Sequence, residues 1–333
     1  MSKMDRLNNG YNPILNALLV TGANGFVGKP LCQVLLAQGQ AVRAAVRSAN
    51  RPIENCETVA VGELNGQTDW TNALSGIKVV IHLAARAHVM NDTASDALAE
   101  FRRVNVEGTL HLARQAVEAG VKRFIFISSI KANGEGTLLG HPYTTEDLPA
   151  PVDPYGISKR EAEDALRQLA RDTGLEVVII RPPLIYGPGV KANFLSMIRL
   201  LDKGVPLPLG AIHNQRSLVA LDNLLDLIIT CIHHPAAANQ TFLVSDGEDL
   251  STPELLQRTA AALGKKAWLL PVPGFLLAWG ATLTGKQAMA QRLCGSLQVD
   301  ISKTCTLLAW KPPVKVDDAL RKTAHFYSSA THD

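Results

Sequence analysis

Short apolar runs broken by glycine alternate along the chain with stretches in which apolar residues recur every three or four positions. The runs near 17–20, 41–46, 58–61, 78–82, 123–128, 176–181 and 241–244 predict buried strands. Between them, 98–119 and 155–173 carry helical spacing, with Gly120 and Gly174 as stop signals. Strand alternating with helix predicts an α/β fold with a doubly wound parallel sheet covered on both faces. After Gly187 the pattern turns irregular, with Pro188, Pro206 and Pro208, and predicts a smaller C-terminal lobe. The expected organisation is a loose extension over 1–15, a main domain over 16–186 rejoined by about 217–247, and a lobe built from 187–216 and 248–333.

Composition suits a large buried core: 333 residues, 47% hydrophobic and 19% charged. A formal charge of +3, with no basic cluster interleaved with aromatics, excludes a nucleic-acid binder. Five cysteines, at 32, 56, 231, 294 and 305, lack metal-ligand spacing, and the odd number argues against a disulfide framework, so no metal and a cytoplasmic location are expected. Residues 267–285 are uncharged, but Pro271, Pro273, Gly274 and Gly280 interrupt them. Packing within the lobe is expected there, and no membrane span.

The first run is followed by Thr21-Gly22-Ala23-Asn24-Gly25-Phe26-Val27-Gly28 and an amphipathic stretch from Pro30. Strand, glycine turn and helix is the setting of a dinucleotide fingerprint. Gly22 makes the tight turn, Gly25 admits the pyrophosphate, and Gly28 lets helix and strand pack, with Asn24, Phe26 and Val27 on the same turn. This makes the expected sheet Rossmann-type. An acidic residue at the end of the second strand would bind the ribose of NAD, but Val42-Arg43-Ala44-Ala45-Val46-Arg47-Ser48 has none. NADP(H) is therefore the favoured cofactor, with Arg47, Ser48 and Arg43 around the 2′-phosphate, and NAD the alternative.

Ser129 precedes Tyr155-Gly156-Ile157-Ser158-Lys159. A Tyr and a Lys four residues apart share a helix face, where an ammonium lowers a phenol pKa from about 10. Hydride-transfer chemistry needs such a proton donor.

These pieces, with His82-Leu83-Ala84-Ala85, the 105–109 run, FIFISS at 124–129, Arg181 to Gly189 and the pattern from Asp300 to Trp310, resemble the extended short-chain dehydrogenase/reductases of the nucleotide-sugar branch, the NAD-dependent epimerase/dehydratase family. The likeness runs from 17 to about 312. More narrowly, HLAARAHVMND, VKANF and NQRSLVALDNL are similar to bacterial reductases and epimerases acting at position 4 of UDP-N-acetylhexosamines, nearest the 4-reductase that serves UDP-N-acetylquinovosamine and surface-polysaccharide synthesis.

The resemblance implies a catalytic trio of Ser129, Tyr155 and Lys159, Ser128 being the weaker competitor of Ser129. It implies cofactor contacts from Glu63 and Leu64 beside the adenine, from Leu83, Ala84 and Ala85, from Lys159 on the ribose, and from Pro182 and Ile185 at the nicotinamide. Glu63 stands where the family usually has Asp. Asn105 either touches the cofactor or ties strands together. Asn193, Arg216 and Arg292 are the implied ligands of the UDP diphosphate, and a homodimer is implied. His88 and Lys131 fall near the sugar pocket without an assigned role. The reading expected from these residues is NADPH-dependent reduction of a UDP-linked 4-keto-N-acetylhexosamine. The alternatives are a 4-epimerase with tightly held NAD and a non-catalytic dinucleotide sensor.

Overall fold

The computed structural model describes residues 17–48, 50, 52–87, 96–283, 291 and 293–332. Its strands are β1 (Ala17–Thr21), β2 (Val42–Val46), β3 (Glu57–Ala60), β4 (Ile77–His82), β5 (Arg123–Ile127), β6 (Glu176–Arg181), β7 (Leu184–Tyr186), β8 (Arg216–Ala220), β9 (Thr241–Leu243) and β10 (Asp249–Leu250). The helices are α1 (Gly28–Ala37), α2 (Thr71–Leu74), α3 (Ala97–Arg102), α4 (Thr109–Glu118), α5 (Pro154–Thr173), α6 (Ala192–Asp202), α7 (Leu221–His233), α8 (Thr252–Ala262), α9 (Gly274–Leu283), α10 (Ser302–Leu308) and α11 (Val316–His332). Seven strands form one sheet in the order β3-β2-β1-β4-β5-β6-β9, and β10-β8-β7 form a second. The fold is the Rossmann-like α/β arrangement expected.

Why the runs become strands is visible in their burial. All five residues of β5 are buried, as are four of five in β1, because helices cover both faces. Leu19, Val80, Phe124, Phe126 and Ile179 from the sheet close one core with Leu112 and Ala116 of α4 and Leu166 of α5. β1 pairs in parallel with β2 on one side and β4 on the other. The loops leaving β1 and β4 therefore diverge, which is the topological switch point where α/β sheets bind ligands.

The stretch 98–119 is not one α-helix. A π-helical turn, Arg103–Gly108, separates α3 from α4. Two contacts hold it. A Cβ on Gly108 would lie 2.8 Å from Leu64 Cγ, so only glycine lets the turn reach Leu64. Asn105 within the turn makes the bonds described below.

Two compact units partition the described residues. One holds those up to Ile127 together with Ser158–Ile179 and Ala238–Gln240; the other holds Ser128–Ile157, Ile180–Ala237 and the rest from Thr241. The second unit includes 128–157 and 217–237, which local pattern alone would leave with the sheet. Tertiary bonds explain this: Thr137 N–H donates to Ser296 O at 2.9 Å and Tyr143 N–H to Gln298 O at 2.8 Å, while Ile130 packs with Leu243, Leu297 and Val299. The expectation that 267–285 packs in the lobe holds only in part. Ala267 and Leu269 join the cluster around Leu201, Leu207 and Leu256, but Phe275, Leu276 and Trp279 of α9 stay exposed.

Candidate active site

The turn after β1 can be built only from glycines at three places. Gly22 sits at φ +65°, and a Cβ there would meet Ala84 N at 2.8 Å. A Cβ on Gly25 would lie 2.9 Å from Gly22 O, and one on Gly28 only 2.2 Å from it. The first turn of α1 carries no acidic residue, so no carboxylate competes for its N–H groups and macrodipole. Such a cradle fits a dinucleotide diphosphate. Asn24 and Gly25 are exposed on it, Phe26 and Val27 half-buried.

Behind the cradle, His82 at the end of β4 is fully buried. Leu83 N–H and Ala84 N–H each donate to Thr21 Oγ1 at 3.2 Å, leaving the Thr21 hydroxyl proton for His82 Nδ1 at 2.7 Å. His82 Nε2 then carries the ring proton and donates to Thr109 Oγ1 at 2.9 Å. The Leu83 and Ala84 amides are thus engaged with Thr21, and Ala85, expected with Ala84 to present backbone to the cofactor, is half-buried beside them.

Burial, and next the Lys159 ammonium, push the His82 pKa down to about 3. Between 6.5 and about 3 the unfolded chain binds a proton that folded His82 refuses. Its contribution is present above pH 6.5 and is lost as pH falls, at about 1.4 kcal/mol per pH unit. Urea unfolding at a series of pH values should show a slope smaller by about one proton in His82→Gln; an unchanged slope would place the acid sensitivity elsewhere.

Protein hydrogen bonds engage two of the residues expected at the cofactor in this unit. Arg43 does not wait for a 2′-phosphate: its guanidinium donates to Glu57 Oε1 at 2.8 Å and to the carbonyls of Ser75 at 2.7 Å, Ala73 at 3.0 Å and Asn72 at 3.3 Å. It caps the C-terminus of α2. Asn105 makes the tying bonds of the second role expected for it. Arg86 N–H donates to its Oδ1 at 2.8 Å, and its Nδ2 donates to Arg86 O at 3.1 Å and Ser158 Oγ at 3.0 Å. Arg47 and Ser48 are exposed beyond the end of β2, as is Glu63, while Leu64 packs on Gly108.

Ser129 follows β5 in extended conformation, and its Oγ accepts from Lys131 N–H at 3.2 Å. Its own proton is then directed to the Tyr155 oxygen, with which it is hydrogen-bonded. Ser128 is buried, and its N–H donates to Ile180 O at 2.8 Å. Burial, and then the Asp153 carboxylate, push the Tyr155 phenol up to about 12, and the Ser129 hydroxyl pulls it back. One turn further along α5, Lys159 is 2% exposed, donates to Ile127 O at 2.8 Å and lies 4.4 Å over the Phe126 ring. Burial lowers its pKa to about 7, against the pull of Glu163.

Asp153 was not foreseen. Its Oδ1 accepts Gly156 N–H at 2.6 Å, capping α5, and its Oδ2 pairs with Lys131, which also reaches Glu135 at 3.1 Å. The signal was present as Asp153-Pro154, an N-cap followed by proline at the first helical position. Gly156 is needed for the same approach, since its Cβ would lie 2.6 Å from Lys131 O. Lys131 therefore has a structural partner.

Of the remaining candidates, Pro182 is buried and its carbonyl accepts Ile130 N–H at 3.0 Å, while Ile185 is half-buried on β7 opposite Val219. Asn193 is exposed on the first turn of α6. Arg216 donates to Gly295 O at 2.9 Å. His88 and Arg292 lie outside the described residues. Asn223, from the same run as Arg216, is a scaffold residue, donating to Asp246 Oδ1 at 2.7 Å and to Val314 O at 2.9 Å.

The model of the NAD dependent epimerase/dehydratase family matches residues 18–245. The chain belongs to that family. Within it, a UDP-glucose 4-epimerase of Vibrio cholerae is 52% identical over 325 residues, covering 97% of this chain and 99% of its own length. The N-acetyl-alpha-D-glucosaminyl-diphospho-ditrans,octacis-undecaprenol 4-epimerase of Escherichia coli O157:H7 is 27% identical over 305 residues, covering 86% and 88%. A solved UDP-glucuronic acid 4-epimerase from Bacillus cereus, in complex with NAD, superposes with a TM-score of 0.74 at 22% identity over 95% of this chain and 98% of its own.

Proposed function

We propose that this family member is a UDP-hexose 4-epimerase that keeps its NAD through turnover. The observation that carries the reading is 52% identity over nearly the full length to a UDP-glucose 4-epimerase, in a chain that also hydrogen-bonds Ser129 to Tyr155. It takes the place of net reduction by NADPH as the first reading. The argument for a 2′-phosphate has lost Arg43 to the α2 carbonyls, and Arg47 and Ser48 remain to meet the ribose hydroxyls.

NAD, when bound, supplies a reversible acceptor for the hydride of sugar carbon 4. The side chains handle the proton. Tyr155 takes it from the 4-hydroxyl and returns it to the 4-oxygen once the sugar presents its other face, so no electrons are gained or lost overall. Ser129 holds that oxygen, and the Lys159 ammonium favours the phenolate that accepts the proton. Asn193, Arg216 and Arg292 are the candidates for the diphosphate, for which guanidinium forks are suited.

A second reading concerns the carrier. The relative from Escherichia coli O157:H7 is named for a sugar on a diphospho-undecaprenol, and the exposed apolar side chains of α9 favour an apolar carrier here too.

The test is incubation of the purified protein with UDP-glucose and UDP-N-acetylglucosamine without added cofactor, followed by proton NMR. The galacto epimer should appear, and acid should release NAD from the protein. Stoichiometric NADPH consumption on a UDP-4-keto sugar, with no cofactor-free epimer, would restore the reductase reading.

A further inference from the structure

A helix apolar on every side is normally buried, and α9 is not. Its sequence, Gly274–Leu283, contains no charged or amide side chain, yet Phe275 is 71% exposed, Trp279 66% and Leu276 46%. The strand-like segment before it adds Trp268 at 64% and Leu270 at 51%. That segment is fixed rather than loose, because Leu207 N–H donates to Trp268 O at 2.8 Å and Gly210 N–H to Leu270 O at 2.9 Å. Five large apolar side chains exposed between Trp268 and Trp279 call for a cover.

Charge decides between the candidates. From Leu255 to Val299 the sequence has no Asp or Glu, but holds Arg258, Lys265, Lys266, Lys286 and Arg292. At the near edge of the face, Lys265 bonds Asp202 at 2.5 Å, with Lys266 and Lys203 exposed next to that pair. Two copies meeting about a twofold axis through this face would bring like charges together. An anionic lipid surface answers both the cations and the aromatic side chains, which favour the headgroup boundary. Crossing is excluded among the described residues, where no helix is long and apolar enough.

We infer that the face formed by Trp268, Leu270, Phe275, Leu276 and Trp279, with Lys203 and Lys266 at its edge, docks the protein on an anionic phospholipid bilayer, α9 lying in the interface. The inference goes beyond the proposed reaction, and vesicle binding is read without any sugar substrate, so either can fail alone.

The experiment is flotation of the full chain with vesicles of phosphatidylethanolamine and phosphatidylglycerol, beside vesicles of phosphatidylcholine alone. The protein has four tryptophans, of which Trp70 and Trp310 are buried. A blue shift of emission with the anionic vesicles therefore reports Trp268 and Trp279. Phe275→Ser with Trp279→Ser should weaken binding at least about tenfold, with turnover of a water-soluble UDP-sugar unchanged. Lys266→Gln should weaken it about fivefold at low salt and less as salt rises. Wild-type protein that stays unbound, or a double variant that binds as well, would overturn the inference. So would a double variant whose only change is loss of a dimer in sedimentation velocity, which would make a second copy the cover.

Discussion

Tyr155→Phe should lower kcat by about 10²–10⁴-fold while nucleotide affinity and melting temperature stay close to wild type. The substitution removes one oxygen and keeps the ring, so packing around the start of α5 is preserved. What is lost is the only group in the Ser129–Tyr155 pair able to take a proton and return it. With the phenol pushed up to about 12 by burial and by Asp153, its deprotonation depends on the charges brought to it. Lys159, buried and held by Ile127 O at 2.8 Å, is the residue proposed to supply one of them. Ser129 remains in Tyr155→Phe, but a neutral serine hydroxyl is a poor base. The check is a steady-state rate on a UDP-sugar together with NAD titration of the same preparation. A rate within about tenfold of wild type would remove Tyr155 from the proton-transfer role.

Much of this arrangement was legible in the chain because parallel strands buried on both faces appear as continuous apolar runs. Each of the seven expected strands falls within about one residue of its place. Tyr155 and Lys159 were legible for the same kind of reason, since a four-residue spacing on a helix needs no tertiary knowledge. Arg43 was not. An arginine at a strand end looks alike whether it awaits a phosphate or caps a helix, and only the fold brings the α2 carbonyls to it. The π-helical turn was hidden because Gly108 and Leu64, 44 residues apart, create it together. The Lys131–Asp153 pair is equally non-local in its consequence: it sets the charge next to Tyr155 through a helix cap. For α9, uniform hydrophobicity was read as burial, the ordinary outcome, and the exposure of Phe275 and Trp279 could come only from the structure.

Gly28→Ala should yield a folded protein with sharply reduced affinity for NAD. The added Cβ would stand 2.2 Å from Gly22 O, 2.8 Å from Ala23 Cα and 2.9 Å from Gly22 C, all backbone atoms that no rotamer change can move aside. Relief must come from shifting α1 or the glycine turn. α1 is anchored by Leu31, Cys32 and Leu35, each fully buried, so the turn yields. Overpacking of this kind costs about 1–3 kcal/mol, a fall of roughly 1–2 °C in Tm per kcal/mol for a chain of this size. Function suffers more than stability, because the turn that must shift carries the N–H groups proposed to meet the diphosphate. Gly39→Ala is the control. Gly39, unlike Gly28, is in the left-handed region, at φ +75°, but a Cβ there meets nothing within 4 Å. It should lose about 1 kcal/mol through backbone strain alone and bind NAD normally. Calorimetric titration of both variants separates the two effects, and a Gly28→Ala protein with wild-type NAD affinity would mean that the cofactor does not rest on this turn.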